Sequence, residues 1–213
     1  PFLKLSDLER RNKPIPPTLK QEKDPTVLYH DLPTNGIVYL DLGFDLHCLT
    51  AADLPYVPLF GRGLTEMGTQ ETDYVSLGQR ISRKTGGIRS QWFTSALADA
   101  PGSAAWLFLR GKSMVDKTED LLRILHDILL TVKLDNQDRF RQMVLEEKAK
   151  LEQTLIPSGH QVVNLRLRAQ FAQAHWAAEQ MSGITYLFFL RKLIRRVESD
   201  WPSVLAVLEQ IRQ

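Results

Sequence analysis

The sequence predicts an α+β domain whose largely antiparallel sheet is built from hairpins, with helices packed on one face. Two pairs of alternating apolar segments, each pair separated by a turn signal, predict the hairpins. The C-terminal half carries apolar residues at helical spacing and predicts a series of helices. Because the strands come in adjacent pairs and do not alternate with helices, the pattern favours an antiparallel sheet.

The composition is that of an ordinary globular domain. The 213 residues are 43% hydrophobic and 24% charged, which is enough to bury one sizeable core. The formal net charge of +2 is too small to indicate a nucleic-acid partner. No stretch of about 18 uninterrupted apolar residues occurs, so a membrane partner is not predicted either.

The single cysteine, Cys48, excludes an intrachain disulfide and fits a reducing compartment of the cytoplasmic or organelle-matrix type. The chain begins at Pro1 without a methionine, which favours a piece cut from a longer protein. Residues 1–25 are polar and proline-bearing, and we expect an extended lead-in or linker with one helical turn at residues 7–10. Residues 26–213 are predicted to form a single domain.

The first predicted hairpin covers residues 26–46. Its two apolar segments, TVLYHDL and IVYLDLGFDL, flank Asn35-Gly36, a dipeptide typical of tight turns. The second hairpin joins IRSQWFTS to SAAWLFLRGK across the turn signal Ala100-Pro101-Gly102. An aromatic pair drawn from both of its strands is expected across this hairpin.

Between the hairpins, two helices are predicted in the stretch from Leu54 to Ser95. Asp53 is the candidate N-cap of the first helix, and Pro58 is expected to delay its regular part. Each of its two glycines, Gly61 and Gly63, costs about 1 kcal/mol relative to Ala, which predicts a close neighbour at both positions. The second helix is predicted to be capped by Asp73.

The remaining chain is predicted to be helical from Asp116 onward. Apolar spacing and capping residues divide it into five segments. The third of these is predicted as one helix over residues 158–183, capped by Ser158, and the last is predicted to be capped by Asp200.

Several of these stretches resemble the presequence-protease branch of the inverted-motif zinc peptidases, relatives of pitrilysin and insulysin. The most specific are PTNGIVYLDLGFDL, LPYVPLF with TEMGT, RKTGGI and EQMSGITYL. In that family's catalytic domain, the equivalent helix carries His-x-x-Glu-His followed by Gly-Ser or Gly-Thr. Matching Gly68-Thr69 to that pair places Leu59, Arg62 and Gly63 at the two zinc ligands and the general base. The resemblance therefore implies a degenerate, non-catalytic domain at the start of the C-terminal half.

No metal-ligating or catalytic residue is predicted in this chain. None of the five histidines lies at a short ligand spacing from another. Glu146 or Glu147 would correspond to the family's third ligand, and zinc is expected only in the catalytic domain of the parent protein. An unrelated enzyme that uses His126 or His160 is a minor alternative.

The resemblance implies a domain that helps to enclose an unstructured peptide and that contacts other domains of the same polypeptide. Its possible peptide wall is formed by aromatic residues of the second hairpin, with sheet core as the alternative reading of Trp92, Phe93, Trp106 and Phe108. A free-standing peptide-binding module or pseudoenzyme is the alternative function.

Overall fold

The structure is a computed structural model that describes Lys4 and residues 15–21, 25–98 and 100–213. The chain divides into two compact units, residues 1–36 and 37–213, whereas the sequence places the boundary after Pro25. In the first unit, β1 and β2 form a two-stranded antiparallel sheet. The helical turn predicted at residues 7–10 lies outside the described residues.

The second unit combines a three-stranded antiparallel sheet with helices, so the predicted α+β class is confirmed. The strand order is β3-β5-β4. None of the described helices combines the length and the apolarity that a membrane span requires. The elements of the chain are β1 Thr18–Gln21, β2 Thr26–Tyr29, β3 Ile37–Asp45, α1 Val57–Glu66, α2 Tyr74–Lys84, β4 Ile88–Ala96, β5 Ser103–Met114, α3 Thr118–Thr131, α4 Gln137–Leu155, α5 Gly159–Arg168, α6 Gln173–Ser182, α7 Ile184–Ser199 and α8 Trp201–Arg212.

The hairpin predicted over residues 26–46 is wrong, although its turn forms. Asn35 and Gly36 adopt the positive φ angles of a tight turn, 51° and 78°. However, β2 pairs with β1, and β3 pairs along all nine of its residues with β5. Turn chemistry fixes the local bend, but a nine-residue ladder satisfies more backbone groups than the four-residue β2 could satisfy. The predicted hairpin of β4 with β5 is confirmed.

The two faces of the sheet differ in their exposure. Alternate residues of β5, such as Leu107 and Leu109, are buried against the helices and form part of one hydrophobic core with α1, α3, α4 and α7. The side chains between them, on what we call the outer face, are partly or largely exposed. The sheet is therefore covered by helices on its inner face, as the hairpin pattern predicts.

The helix α1 begins differently from the prediction. A short 3-10 turn, Leu54–Tyr56, precedes it, and Asp53 does not cap it. The Asp53 carboxylate instead accepts hydrogen bonds from the backbone N–H and the hydroxyl of Thr50, at 3.3 and 2.6 Å. The regular helix starts at Val57 with Pro58 in its first turn, where a missing N–H costs nothing.

The capping predicted for the other helices is partly confirmed. The Asp73 carboxylate accepts hydrogen bonds from the backbone of Val75 and Ser76, and Asp200 accepts one from the backbone of Ser203. Ser158, by contrast, makes no side-chain hydrogen bond to the start of α5. Its cap prediction is wrong, because Ser158 has a backbone conformation (φ −107°, ψ 21°) outside the extended region typical of a capping residue.

The single helix predicted over residues 158–183 is also wrong. The chain turns between α5 and α6 at residues 169–172, although no glycine or proline marks the break. The physical reason lies in packing. Helix α6 buries Ala174, Ala177 and Met181, whereas α5 buries none of its residues. A straight continuation of α5 would not place both segments against their present neighbours.

The two glycines of α1 have different surroundings. A β-carbon added at Gly61 would lie 2.8 Å from Oγ and 2.9 Å from Cβ of Ser90 on β4. At Gly63 the nearest atoms, from Met67 and Leu134, would lie 3.4–3.5 Å away, which is ordinary van der Waals contact. The expectation of a close neighbour is confirmed for Gly61 and wrong for Gly63, because only Gly61 faces the backbone-adjacent atoms of a strand.

We therefore expect opposite effects from two matched substitutions. Gly61→Ala should lower the free energy of unfolding by about 1–2 kcal/mol, since overpacking outweighs the gain in helix propensity. Gly63→Ala should leave it unchanged or raise it by up to about 1 kcal/mol. Urea unfolding followed by circular dichroism measures both. A Gly61→Ala variant as stable as Gly63→Ala would contradict the packing of α1 on β4.

Candidate functional site

The degenerate motif of α1 is occupied by an ion-pair network and not by metal ligands. Leu59 is fully buried, and Gly63 is also buried, so neither presents a donor atom. Arg62 donates two hydrogen bonds to Glu66, at 3.0 and 2.7 Å, and one to Glu146 on α4, at 2.7 Å. A further carboxylate pairs with it more loosely, since a Glu147 oxygen lies 3.8 Å away.

A second guanidinium completes this network. Arg139 on α4 bonds to the side chain of Glu66 at 2.8 Å and to its backbone carbonyl at 3.2 Å. Three carboxylates and two guanidinium groups therefore meet between α1 and α4. The chain places positive charge of its own at the position where the resembling catalytic domain has its general base.

The electrostatics follow from this geometry. Burial opposes the charge of Arg62, but its hydrogen bonds with Glu66 and Glu146 outweigh burial and raise the pKa of the guanidinium. The hydrogen bond from Arg62 lowers the pKa of Glu146. The phenol of Tyr186 is fully buried close to this network, and burial, together with the charge of Glu147, raises its pKa. The network is thus locked in its charged form at neutral pH.

Metal ligation finds no second candidate in the described part of the chain. No group of three or more His, Cys, Asp and Glu side chains is arranged there to hold an ion. His126 is exposed and lies 3.5 Å from Asp127, while His160 lines a recess beside α5. The structure brings neither of them to a nucleophile.

Aromatic side chains gather on the outer face of the sheet. The rings of Trp106 and Phe108 on β5 stack with their centroids 6.2 Å apart and their planes 24° apart. Phe93, which is exposed, lies opposite Trp106 in the β4–β5 register. Phe108 lies over Gly43 of β3, where an added β-carbon would be 2.8 Å from the ring. These four positions form what we call the aromatic platform.

A polar group adjoins the platform on the same face. The Arg110 guanidinium donates to Asp41 on β3 at 3.0 Å and to Gln91 on β4 at 3.0 Å, which ties the central strand to both neighbours. The hydrogen bonds with Asp41 raise the pKa of Arg110. The outer face therefore combines flat apolar rings with fixed polar groups, an arrangement that suits an extended peptide.

The predicted peptide wall is divided by the structure. Phe93, Trp106 and Phe108 share the outer face, whereas Trp92 points to the inner face and packs against the hydrophobic core. The alternation of side chains along a strand explains the separation of Trp92 from Phe93. Sequence reasoning did not assign Gly43 or Arg110 to this face; the β3–β5 register brings them there.

A buried carboxylate explains the EQMSGITYL segment. Glu179 on α6 is 1% exposed and accepts a hydrogen bond from the backbone N–H of Thr185, in the first turn of α7, at 3.0 Å. Arg166 on α5 pairs with the same oxygen at 3.2 Å. Gly183 leaves room for Glu179, since a β-carbon there would lie 2.7 Å from Glu179 Cγ. This side chain caps α7 from a neighbouring helix.

Comparison with known proteins gives the family. Residues 1–193 match the sequence profile of the peptidase-associated family that accompanies subfamily C of metallopeptidase family sixteen. The chain belongs to this family. The earlier resemblance to presequence proteases is confirmed, and the chain is a peptidase-associated domain.

The relatives of this peptidase-associated chain are much longer proteins. It is similar to presequence protease 1, chloroplastic/mitochondrial, of Arabidopsis thaliana, with 38% identity over 100% of this chain and 20% of the relative. It is 30% identical to protein HypA of Clostridium perfringens over 89% of this chain and 20% of the relative. It is 27% identical to the mitochondrial presequence protease of Danio rerio over 100% of this chain and 21% of the relative. The chain thus spans about a fifth of the length of these curated relatives.

Proposed function

We propose that this chain is a non-catalytic domain of a presequence-protease-like zinc metalloendopeptidase, and that its outer sheet face forms part of the chamber that encloses an unstructured peptide. The observation that carries the proposal is the aromatic platform on a sheet face that the helices leave exposed. The names of the matched relatives support a peptidase that acts on presequences.

The Arg62 network supports the non-catalytic part of this proposal. A zinc peptidase needs neutral or anionic ligands and a base that activates water. Here the motif positions hold Leu59, Arg62 and Gly63, and the nearby carboxylates of Glu66 and Glu146 are already paired with guanidinium groups. Zinc would then belong to another domain of the parent protein, and peptide hydrolysis would occur there.

The platform supports the peptide-wall part. Stacked aromatic rings bind apolar side chains of many sequences, because every such side chain gains from leaving water. Arg110, with its partners Asp41 and Gln91, can meet the polar backbone of an extended peptide. Such a surface selects for an unfolded chain more than for a particular sequence.

The test uses the longer polypeptide encoded by the source reading frame. We expect Trp106→Ala and Phe108→Ala to raise the KM for an unstructured fluorogenic peptide by roughly two- to tenfold, given about 0.5–1.5 kcal/mol for a lost aromatic contact. Phe188→Ala, which removes an exposed aromatic ring of α7, is the matched control. The isolated 213-residue chain should show no chelator-sensitive hydrolysis. Platform variants with unchanged KM and unchanged stability would contradict the peptide-wall role.

A free-standing peptide-binding module or pseudoenzyme is the second candidate. The same platform favours it, because peptide binding needs no attached peptidase. The length of the source reading frame distinguishes the two functions. A frame several times longer, with His-x-x-Glu-His upstream, supports the peptidase domain. A frame without that motif supports the module. The organelle named for the Arabidopsis and Danio relatives makes an organelle matrix the proposed compartment.

A further inference from the structure

The helix α5 exposes an apolar surface that no other described element covers. Alone among the described α-helices, it has no buried residue. Val163 and Leu167, one helical turn apart and each 59% exposed, lie on the same side. Ile156 and Phe171, at its two ends, are 90% and 87% exposed. We call these four residues the α5 stripe.

A basic recess lies beside the stripe, between α5 and α6. Its volume is about 360 Å³, and it is lined by His160, Gln161, Asn164, Leu165, Arg168 and His175. The Nδ1 atom of His175 is buried and has no hydrogen-bond partner among the described residues. No carboxylate of the described residues lies within ion-pair distance of Arg168, and the sequence contains no Asp or Glu from Gln153 to Ala178.

We infer that the α5 stripe and this recess dock against another domain of the same longer polypeptide, through a segment that presents apolar side chains and one acidic side chain. The inference rests on the proposed function. Apolar partner groups cover the stripe, and the acidic side chain enters the recess, where Arg168 and His175 hold its carboxylate. About four fifths of the length of the matched relatives lies outside this chain and can supply the segment.

Charge argues against a second copy as the occupant. In a two-fold contact the same surface faces itself, so the Arg166 and Arg168 of one copy would meet those of the other. An anionic membrane would attract the basic residues, but a flat lipid surface leaves the concave recess and the buried His175 nitrogen without a partner. A protein segment with a protruding carboxylate fills both.

Photo-crosslinking in the longer polypeptide tests the inference. Benzoylphenylalanine replaces Phe171 or Leu167, whose exposure allows the change without loss of the fold, and mass spectrometry identifies the crosslinked segment. We expect an intramolecular crosslink to a segment outside these 213 residues that carries an Asp or Glu beside apolar residues. Arg168→Glu should lower the crosslink yield severalfold, and Arg168→Lys should retain it. Benzoylphenylalanine at Tyr39, on the outer sheet face, is the control for crosslinking to other surfaces.

Several outcomes would overturn the inference. These are an intermolecular crosslink that gives a dimer band, a crosslink to lipid from vesicles of phosphatidylcholine and phosphatidylserine, or no crosslink from either position. The outcome is independent of the peptide-wall test. Unchanged KM in the platform variants refutes the chamber wall but leaves the α5 crosslink to be read on its own, whereas a reading frame confined to these residues refutes both.

Discussion

Arg62→Met should lower the free energy of unfolding of this chain by about 2–3 kcal/mol at pH 7. The substitution keeps the apolar stem of the side chain and removes its charge. Glu66 and Glu147, whose side chains are 33% and 18% exposed, then keep their negative charge in a partly buried place with Arg139 as the remaining nearby cation. The destabilisation is dominated by these uncompensated carboxylates.

The matched control removes an arginine from an exposed pair. Arg123 bonds to Glu119 at 2.7 Å, but the two side chains are 61% and 85% exposed. Arg123→Met should therefore cost no more than about 0.5 kcal/mol. Urea unfolding of both variants beside the parent gives the comparison. A loss below about 1 kcal/mol for Arg62→Met would mean that solvent screens the network and that it does not stabilise the contact of α1 with α4.

Glu179→Ala should be as damaging, with a loss of about 2–3 kcal/mol. The buried carboxylate accepts a charge-assisted hydrogen bond from the first turn of α7. Its negative charge also lies at the N-terminal end of that helix dipole. Removing it leaves the Thr185 N–H without its acceptor and a small cavity beneath Gly183.

Two further variants separate the causes of this loss. Glu179→Gln keeps an acceptor of the same shape and should retain about half of the stability that Glu179→Ala loses. Glu198→Ala, on the exposed side of α7, removes a carboxylate that is half exposed and paired with Arg141, and should cost less than about 1 kcal/mol. Equal losses for Glu179→Ala and Glu198→Ala in thermal or urea unfolding would contradict the capping role.

Local chemistry was readable from the sequence where neighbouring residues decide the structure. The Asn35-Gly36 turn and the Asp73 cap depend on backbone angles and hydrogen bonds within a few residues, and both are found. The alternation of β4 and β5 indicated their hairpin and the separation of Trp92 from Phe93. The stretches that resemble presequence proteases indicated the family.

Only the tertiary structure decided what depends on residues far apart in the chain. The partner of β3 is β5, about 70 residues later, because pairing energy is set by the length and exposure of the available strand and not by the adjacent turn. Asp53 binds Thr50 and leaves α1 uncapped, and of the two α1 glycines only Gly61 meets a strand. The break between α5 and α6 has no local signal, since it follows from which side chains reach the core.

The same division holds for the candidate sites. The sequence by itself determined that Leu59, Arg62 and Gly63 cannot ligate zinc, because ligation depends on the donor atoms a residue type carries. That Arg62 meets Glu146 of α4 was decided by the packing of two helices, which joins residues 84 positions apart in sequence. The aromatic platform likewise required the register that lays Phe108 over Gly43, because side chains on different strands share a surface only after the strands pair.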